Sequence, residues 1–348
     1  MILRRTILTI ITIKERDNHM RQFIIAGAAV VDVLAAGTPV DVFETGSSPA
    51  KDILMSFGGD ALNEAVVLSR LGGQVTLISK VGCDRAGQAI LQYCRENGIS
   101  TECIRECEDI STGINIVMVT EDGERYFITN PGSTLRRLTA EDIISVQIWD
   151  KDADKKQNSE QEKSIFCLAS LFVSESLGIP EMEKVLAWAK EQNYVVCADM
   201  TKPKHGEKAV QCVSVLKHLD YLFANQAEGA MLTGKYKPEE IAEILYEQGV
   251  SHVIIKCGAR GCYVYGKNQD GEFLRQYVET VPSEKCIDTT GAGDSFTAGF
   301  LYALSKGKDF VQCAKFGNAC GSLAVKKIGA AAWTENDRDM NILRQFLD

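Results

Sequence analysis

The chain has 348 residues, 45% hydrophobic and 24% charged, with a formal net charge of −9. That length supports a sizeable core without disulfide or metal staples. The acidic balance excludes the basic footprint of general nucleic-acid binding, while leaving room for a small anionic ligand in a local field.

Residues 1–19 open with Arg4 and Arg5 before a short apolar stretch, which mimics a signal peptide. Lys14, Glu15, Arg16 and Asp17 cut the stretch short, no small-residue cleavage site follows, and it cannot span a bilayer. It reads as a disordered leader ahead of a body over 20–348, with no membrane partner. An apolar run over 23–31 predicts a buried strand. Helical spacing over 60–71 stops at Gly72-Gly73, a strand follows at 75–79, and a helix at 87–97. Strands over 165–168, 194–198, 221–224 and 252–256 then alternate with helices over 181–192, 238–247 and 293–304. Such alternation predicts parallel pairing and an α/β sandwich with a mostly parallel central sheet. Two segments, about 34–55 and 101–130, lack helices and read as a small antiparallel flap, with a hairpin turn at 121–123. Residues 150–164 are nearly all polar and read as a solvated loop. The twelve cysteines and four histidines show no Cys-x-x-Cys pair and no zinc spacing. Cys83, Cys94, Cys167, Cys197, Cys257, Cys262, Cys313 and Cys320 fall in regular apolar runs and read as small hydrophobes of a reduced, cytoplasmic protein.

The strongest chemical signal is DTTGAGDSFTAGF, residues 288–300. Gly291, Ala292 and Gly293 stand where helical spacing begins, so several N–H groups point one way and, with the helix dipole, form an anion hole. That suits a phosphoryl group in transit. Asp294 at the same turn would repel a phosphate, unless its task is to accept a proton from an attacking hydroxyl. The plain alternative is a helix N-cap. Gly58 and Gly59 also lead into a helix and admit close ligand approach, with Asn63 one turn in. Asp32 ends the first expected strand, where ligands gather in α/β sheets. Asn225 and Glu228 share a face at a helix start. They suit the water shell of Mg²⁺ or a simple capping pair. KCGARG, residues 256–261, is a glycine-rich turn fit for a nucleotide or a plain hairpin. Residues 229–235 have P-loop spacing, but Tyr236 replaces the Ser or Thr that would hold Mg²⁺, so no P-loop is expected. Gly291 and Gly293 likewise lack the third glycine of a dinucleotide fingerprint.

In combination these segments resemble the ribokinase (PfkB-type) carbohydrate kinase family over nearly the whole chain. The resemblance rests on GGDALNEAVVLSRLGGQVTLISKVGCDRAG (58–87), NQAE (225–228), KCGARG and DTTGAGDSFTAGFL (288–301). It implies a ribokinase-like three-layer sandwich with a small antiparallel β lid, and ATP-dependent phosphorylation of a hydroxyl on a free sugar or polyol. By that resemblance Asp294 would be the catalytic base, and Gly291, Ala292 and Gly293 the hole for the γ-phosphate. Asp32, Gly58, Gly59 and Asn63 would bind substrate hydroxyls. Gly258 and Gly261 would line the ATP site, with Asp199 near the phosphates and Asn225 and Glu228 organising Mg²⁺ and its waters. A monovalent cation such as K⁺ would sit among Asp288, Thr290, Ala324, Lys327 and Gly329, although Trp333 stands where ribokinase-like members offer a hydroxyl. The lid would pair two subunits into a homodimer. Asp60 and Ala61 replace the Lys-Gly that ribokinases proper carry after the glycine pair, and 169–172 lacks their substrate-binding Glu. Asp60 also disfavours a sugar phosphate, so a neutral sugar is expected. The alternatives are a nucleoside kinase of the same fold and, from another class, a non-catalytic sugar or nucleotide sensor, against which the intact Asp294 and glycines speak.

Overall fold

The computed structural model describes residues 21–120, 124–146, 163–268, 270–280, 283 and 286–345. The expected leader, the hairpin turn at 121–123 and nearly all of the charged loop at 150–164 lie outside the described residues. The strands are β1 (Gln22–Ala26), β2 (Val30–Ala36), β3 (Asp52–Gly58), β4 (Gln74–Gly82), β5 (Ile104–Cys107), β6 (Ile114–Val119), β7 (Arg125–Thr129), β8 (Ile165–Leu171), β9 (Val195–Met200), β10 (Tyr221–Asn225), β11 (His252–Lys256), β12 (Cys262–Lys267) and β13 (Phe273–Val278). The helices are α1 (Val42–Thr45), α2 (Asp60–Leu71), α3 (Arg85–Glu96), α4 (Ala140–Ile144), α5 (Ile179–Glu191), α6 (Val213–Leu216), α7 (Gln226–Thr233), α8 (Pro238–Glu247), α9 (Ala292–Ser305), α10 (Phe310–Ala324) and α11 (Asp337–Gln345).

The main sheet runs β13-β12-β11-β10-β9-β8-β1-β4-β5. It is parallel from β5 to β11 and ends in the antiparallel β12 and β13. Parallel strands covered on both faces read as unbroken apolar runs, and β1 shows how one run serves two cores. Phe23 and Ile25 face the layer of α2, α3, α9 and α10, while Ile24 and Ala26 face that of α5, α6 and α8. The period of two along a strand makes this division. Phe23, Phe166, Phe223, Phe300 and Trp333 are fully buried, and each such side chain stabilises the fold by roughly 1.5–3 kcal/mol on burial.

The single strand expected over 23–31 is two strands in two sheets. The break is at Gly27, whose amide donates to Ile78 O and whose added Cβ would lie 2.6 Å from Ser170 Oγ. The chain turns there and β2 joins a second sheet, ordered β3-β2-β6-β7. That sheet is antiparallel except for its central β2·β6 pair. Asp32 therefore lies within β2 of the smaller sheet and does not end the first body strand. Cys83 is exposed at the β4–α3 turn, unlike the buried thiol expected. The residues with P-loop spacing begin inside α7, where Gly229 packs against Ile241. Among the described residues no helix is long and apolar enough to cross a membrane.

Candidate active site

The strand order reverses beside β1, with β4 and β5 extending the sheet one way and β8 to β11 the other. Crevices outside the carboxyl ends of strands at such a point collect ligands. Asp199, Asn225 and Lys256 stand at the carboxyl ends of β9, β10 and β11. The first turns of α2 and α9 meet at the same edge, where Asn63 Nδ2 donates to Asp294 Oδ2 at 2.6 Å.

Gly291 caps α9 in a left-handed conformation (φ 70°), and any side chain there would collide with Ala330. The first four N–H groups of a helix lack intrahelical partners. The Ala292 amide leans on Thr289 O at 3.3 Å. Asp294 is the third residue of α9 and its carboxylate turns to Asn63, which removes the N-cap alternative. Burial and the charge of Asp199 lift the Asp294 carboxyl to about 6, against the Asn63 bond and the charge of Lys256. A carboxyl at that value can both take up and release a proton near neutrality.

Asp199 is 3% exposed. Lys256 Nζ donates to both of its carboxylate oxygens at 2.7 Å, and Thr297 Oγ1 to Oδ2 at 2.7 Å. Burial opposes the charge of Lys256, but the carboxylates of Asp199 and Glu228 outweigh it and hold the ammonium above its ordinary range. Lys256 opens the KCGARG turn and Thr297 lies within the 288–300 segment, but the sequence alone assigns neither side chain a role of its own. The signal for Lys256 was there, a charge closing the apolar run HVIIK just before the glycine turn.

The glycine pair stands at the start of α2, the helix that carries Asn63. Gly59 caps α2 with no side-chain cap, and a Cβ there would press 2.5 Å from Ala28 O. A Cβ on Gly58 would collide with the Asp32 carboxylate, which thus lies over the pair. Asp32 pairs in register with Asn115 of β6 and accepts from its Nδ2 at 2.8 Å. Burial raises the Asp32 carboxyl, and the Asn115 bond opposes it. Asn115 Oδ1 is buried without a protein partner. Asp60 bonds Ser170, and burial with the charges of Asp294 and Asp199 holds its carboxyl well above the ordinary range. Asn115 and Ser170 carried no signal in the sequence, because which strand ends meet depends on crossovers.

Asn225 and Glu228 do form a capping box: Asn225 N donates to Glu228 Oε2 at 2.8 Å and Glu228 N to Asn225 Oδ1 at 2.9 Å. Burial lifts Glu228 to about 7, against the charge of Lys256. Gly258 is exposed on the turn after β11, with no atom near its missing side chain. Gly261 is buried, where a Cβ would collide with Val278 O. In the loop expected to hold a monovalent cation, Asp288 Oδ1 accepts from Thr290 N at 2.8 Å and Oδ2 from Gly329 N at 3.0 Å. The amide of Lys327 bonds Ala324 O and its Nζ lies 3.4 Å from Ala332 O. Trp333 is buried, with Nε1 donating to Ser295 Oγ at 3.0 Å.

Residues 21–337 match the pfkB family carbohydrate kinases. An uncharacterised sugar kinase of Archaeoglobus fulgidus is 31% identical over 264 residues, 76% of this chain and 96% of that protein. A 2-dehydro-3-deoxygluconokinase of Haemophilus influenzae is 26% identical over 299 residues, 83% of this chain and 92% of that protein. The crystal structure of a ribokinase from Thermotoga maritima shares the fold, with a TM-score of 0.73 at 22% identity over 94% of this chain and 99% of that one. The family match over nearly the whole chain, the shared fold and the poised carboxylate at a helix N-terminus lead to one conclusion: this chain belongs to the pfkB family of carbohydrate kinases and is a phosphotransferase enzyme.

Proposed function

We propose that the enzyme transfers the γ-phosphoryl group of ATP to a hydroxyl of a neutral free sugar or polyol, with Asp294 as general base. The observation that carries this reading is the position of Asp294: its carboxylate lies in the first turn of α9, fixed by Asn63 of the glycine-pair helix and poised at about 6. The acceptor is held by Asp32, Asn63 and the backbone at Gly58 and Gly59. Its reacting hydroxyl faces Asp294, which takes the proton as the oxygen attacks in line. The 291–293 amides stabilise charge on the transferring group. The Asp32 carboxylate lies over the glycine pair, and a phosphorylated or acidic acceptor would bring a like charge close to it.

ATP is placed over the turn at Gly258 and Gly261, its phosphates running towards Asp199 and α9. The site fits a nucleotide-borne Mg²⁺ at one edge. The capping box uses Oδ1 of Asn225 and Oε2 of Glu228 and does not engage the second oxygen of Glu228; a carboxyl lifted to about 7 by burial suits a group whose charge a cation would balance. When bound, Mg²⁺ neutralises charge on the phosphates. The fit for K⁺ at the Asp288, Thr290, Ala324, Lys327 and Gly329 loop is partial, because both Asp288 oxygens hold amides. No step runs through it.

One face of the small sheet carries Met55, Val33, Ile116 and Ile128 in register, with Met55 66% exposed. A second copy of the chain covers it in a homodimer, which light scattering after gel filtration tests. Nucleoside phosphorylation is the second reading. Phe127 is 61% exposed and in register with Val117 and Leu34, on the face that carries Asp32, where a base could stack. ADP release measured across neutral sugars, polyols, sugar acids, sugar phosphates and nucleosides separates these. A preference for a charged acceptor would overturn the neutral-sugar reading, and a preference for nucleosides would install the second.

A further inference from the structure

We propose that Lys256 is a catalytic residue of this phosphoryl transfer, its ammonium leaving Asp199 to meet the transferring group over the first turn of α9. The inference rests on the kinase reading above and adds a residue to it.

Lys256 closes β11, in register with Asn225 of β10. Its Nζ holds both Asp199 oxygens at 2.7 Å and stands 3.3 Å from the point where a side chain on residue 293 would begin. The ammonium thus abuts the backbone of Gly293, within the very turn whose amides face the phosphoryl group. Glycine at 293 leaves that approach open. Asp199 keeps a second donor, Thr297 Oγ1, so its carboxylate stays partnered when the ammonium moves. A lysine stem is flexible and its ammonium is a point charge with three donors, suited to such an exchange. The surroundings require it: Asp199, Asp294, Asp60 and Glu228 all act on this spot electrostatically, and Lys256 is the cation that each of them feels. The γ-phosphoryl group passing over Gly293 meets this field of carboxylates, and Lys256 Nζ stands beside that glycine to relieve it there.

In the transfer, the acceptor oxygen forms its bond to the γ-phosphorus and its proton passes to Asp294. The bond from phosphorus to the bridging oxygen breaks, and its electron pair leaves with ADP. Negative charge gathers on the three peripheral phosphoryl oxygens throughout. Lys256 donates a hydrogen bond to one of them and keeps its own protons.

The test uses the full chain as wild type, Lys256→Met, Lys256→Arg and Asp199→Asn/Lys256→Met. The first readout needs no knowledge of the sugar: calorimetric titration with Mg²⁺ and ADP, with and without aluminium fluoride as a mimic of the phosphoryl group in flight. Wild type should bind ADP at least about tenfold more tightly with the mimic, as transition-state mimics do. Lys256→Met should keep wild-type ADP affinity and lose the enhancement. The second readout is turnover on the best acceptor. Lys256→Met should lose roughly 10²–10³ in kcat, the range for a missing charge-stabilising donor, with KM for ATP little changed and partial recovery in Lys256→Arg. The double variant also removes the Asp199 charge that Lys256 holds at 2.7 Å, so it should regain melting temperature but not turnover. Enhancement retained in Lys256→Met, absence of enhancement in wild type, or restored turnover in the double variant would overturn the proposal. Should Lys256→Met not fold, the double variant carries both readouts; failure of both to fold assigns Lys256 to the fold and also overturns it. A wild type that shows enhancement but phosphorylates no acceptor sinks the substrate reading alone and leaves Lys256 in its role.

Discussion

Asn63 donates at 2.6 Å to a carboxylate that burial and Asp199 already hold up at about 6. That bond favours the charged form, so removing it with Asn63→Ala raises the Asp294 carboxyl further. A hydrogen bond to a charged group contributes about 1.5–3 kcal/mol, which at about 1.36 kcal/mol per unit is roughly 1–2 pKa units. A base works as its carboxylate, so turnover is present above the pKa and lost as pH falls through it. Near pH 7 a group at about 6 is roughly 90% ionised, and one moved up to about 7.5 is roughly 25% ionised. The variant should therefore lose about fourfold in kcat near pH 7 from ionisation alone and almost nothing near pH 9. Saturating acceptor and ATP keep any loss of sugar affinity in KM and out of this reading, and direct ADP quantification between pH 5 and pH 9.5 gives the profile. An acid limb that stays in place, or moves to lower pH, refutes the coupling of Asn63 to the base.

Asp294→Asn should retain ATP affinity and lose about 10²–10⁴ in kcat, the range for a missing general base; steady-state rates beside nucleotide titration check both halves. Gly291→Ala forces a side chain into Ala330 from a left-handed backbone, so it should lower both the melting temperature and kcat, seen by calorimetry and rate on the same sample. Asp32→Ala should raise KM for the acceptor by at least about tenfold, since a charged hydrogen-bond partner is lost, while KM for ATP stays unchanged. Glu64 is fully buried, neither carboxylate oxygen has a hydrogen-bond partner apart from the neighbouring Cys167 thiol, and burial with the charges of Asp199 and Asp294 lifts it well above its ordinary 4.5. A group neutral in the fold and ionised in the unfolded chain costs stability increasingly as pH rises above that unfolded value. Glu64→Gln should thus raise the melting temperature more near pH 8 than near pH 5, and an equal shift at both would dismiss the argument.

The helices and body strands were legible because their signals are local. The unbroken apolar runs at 165–169 and 195–198 need both faces covered, and Gly72 and Gly234 stop their helices with left-handed backbone. Asp294 was legible for a similar reason, since a small-residue helix start and its acid are adjacent in the chain. What stayed hidden depends on crossovers. Nothing near Asn115 says that β6 will lie beside β2, and nothing near Asp199 says that a lysine two strands away will hold both of its oxygens. The split at Gly27 is hidden because Ala28, Ala29, Val30 and Val31 continue the apolar run, while Ser170, which crowds Gly27 and accepts from the Ala28 amide, is far along the chain. NQAE was ambiguous for a physical reason: one carboxylate can cap a helix with one oxygen and serve a ligand with the other.

Asp32 belongs to the smaller sheet, yet its carboxylate rests over Gly58 at the mouth of the body. Whatever swings that sheet outward withdraws the group proposed to hold the acceptor in the same movement. On that proposal, selectivity and protection from hydrolysis would be a single mechanical event. Acceptors too small to reach Asp32 would leave the crevice wet, and the mark of a poor substrate in this enzyme would be idle ATP breakdown as much as a slow rate.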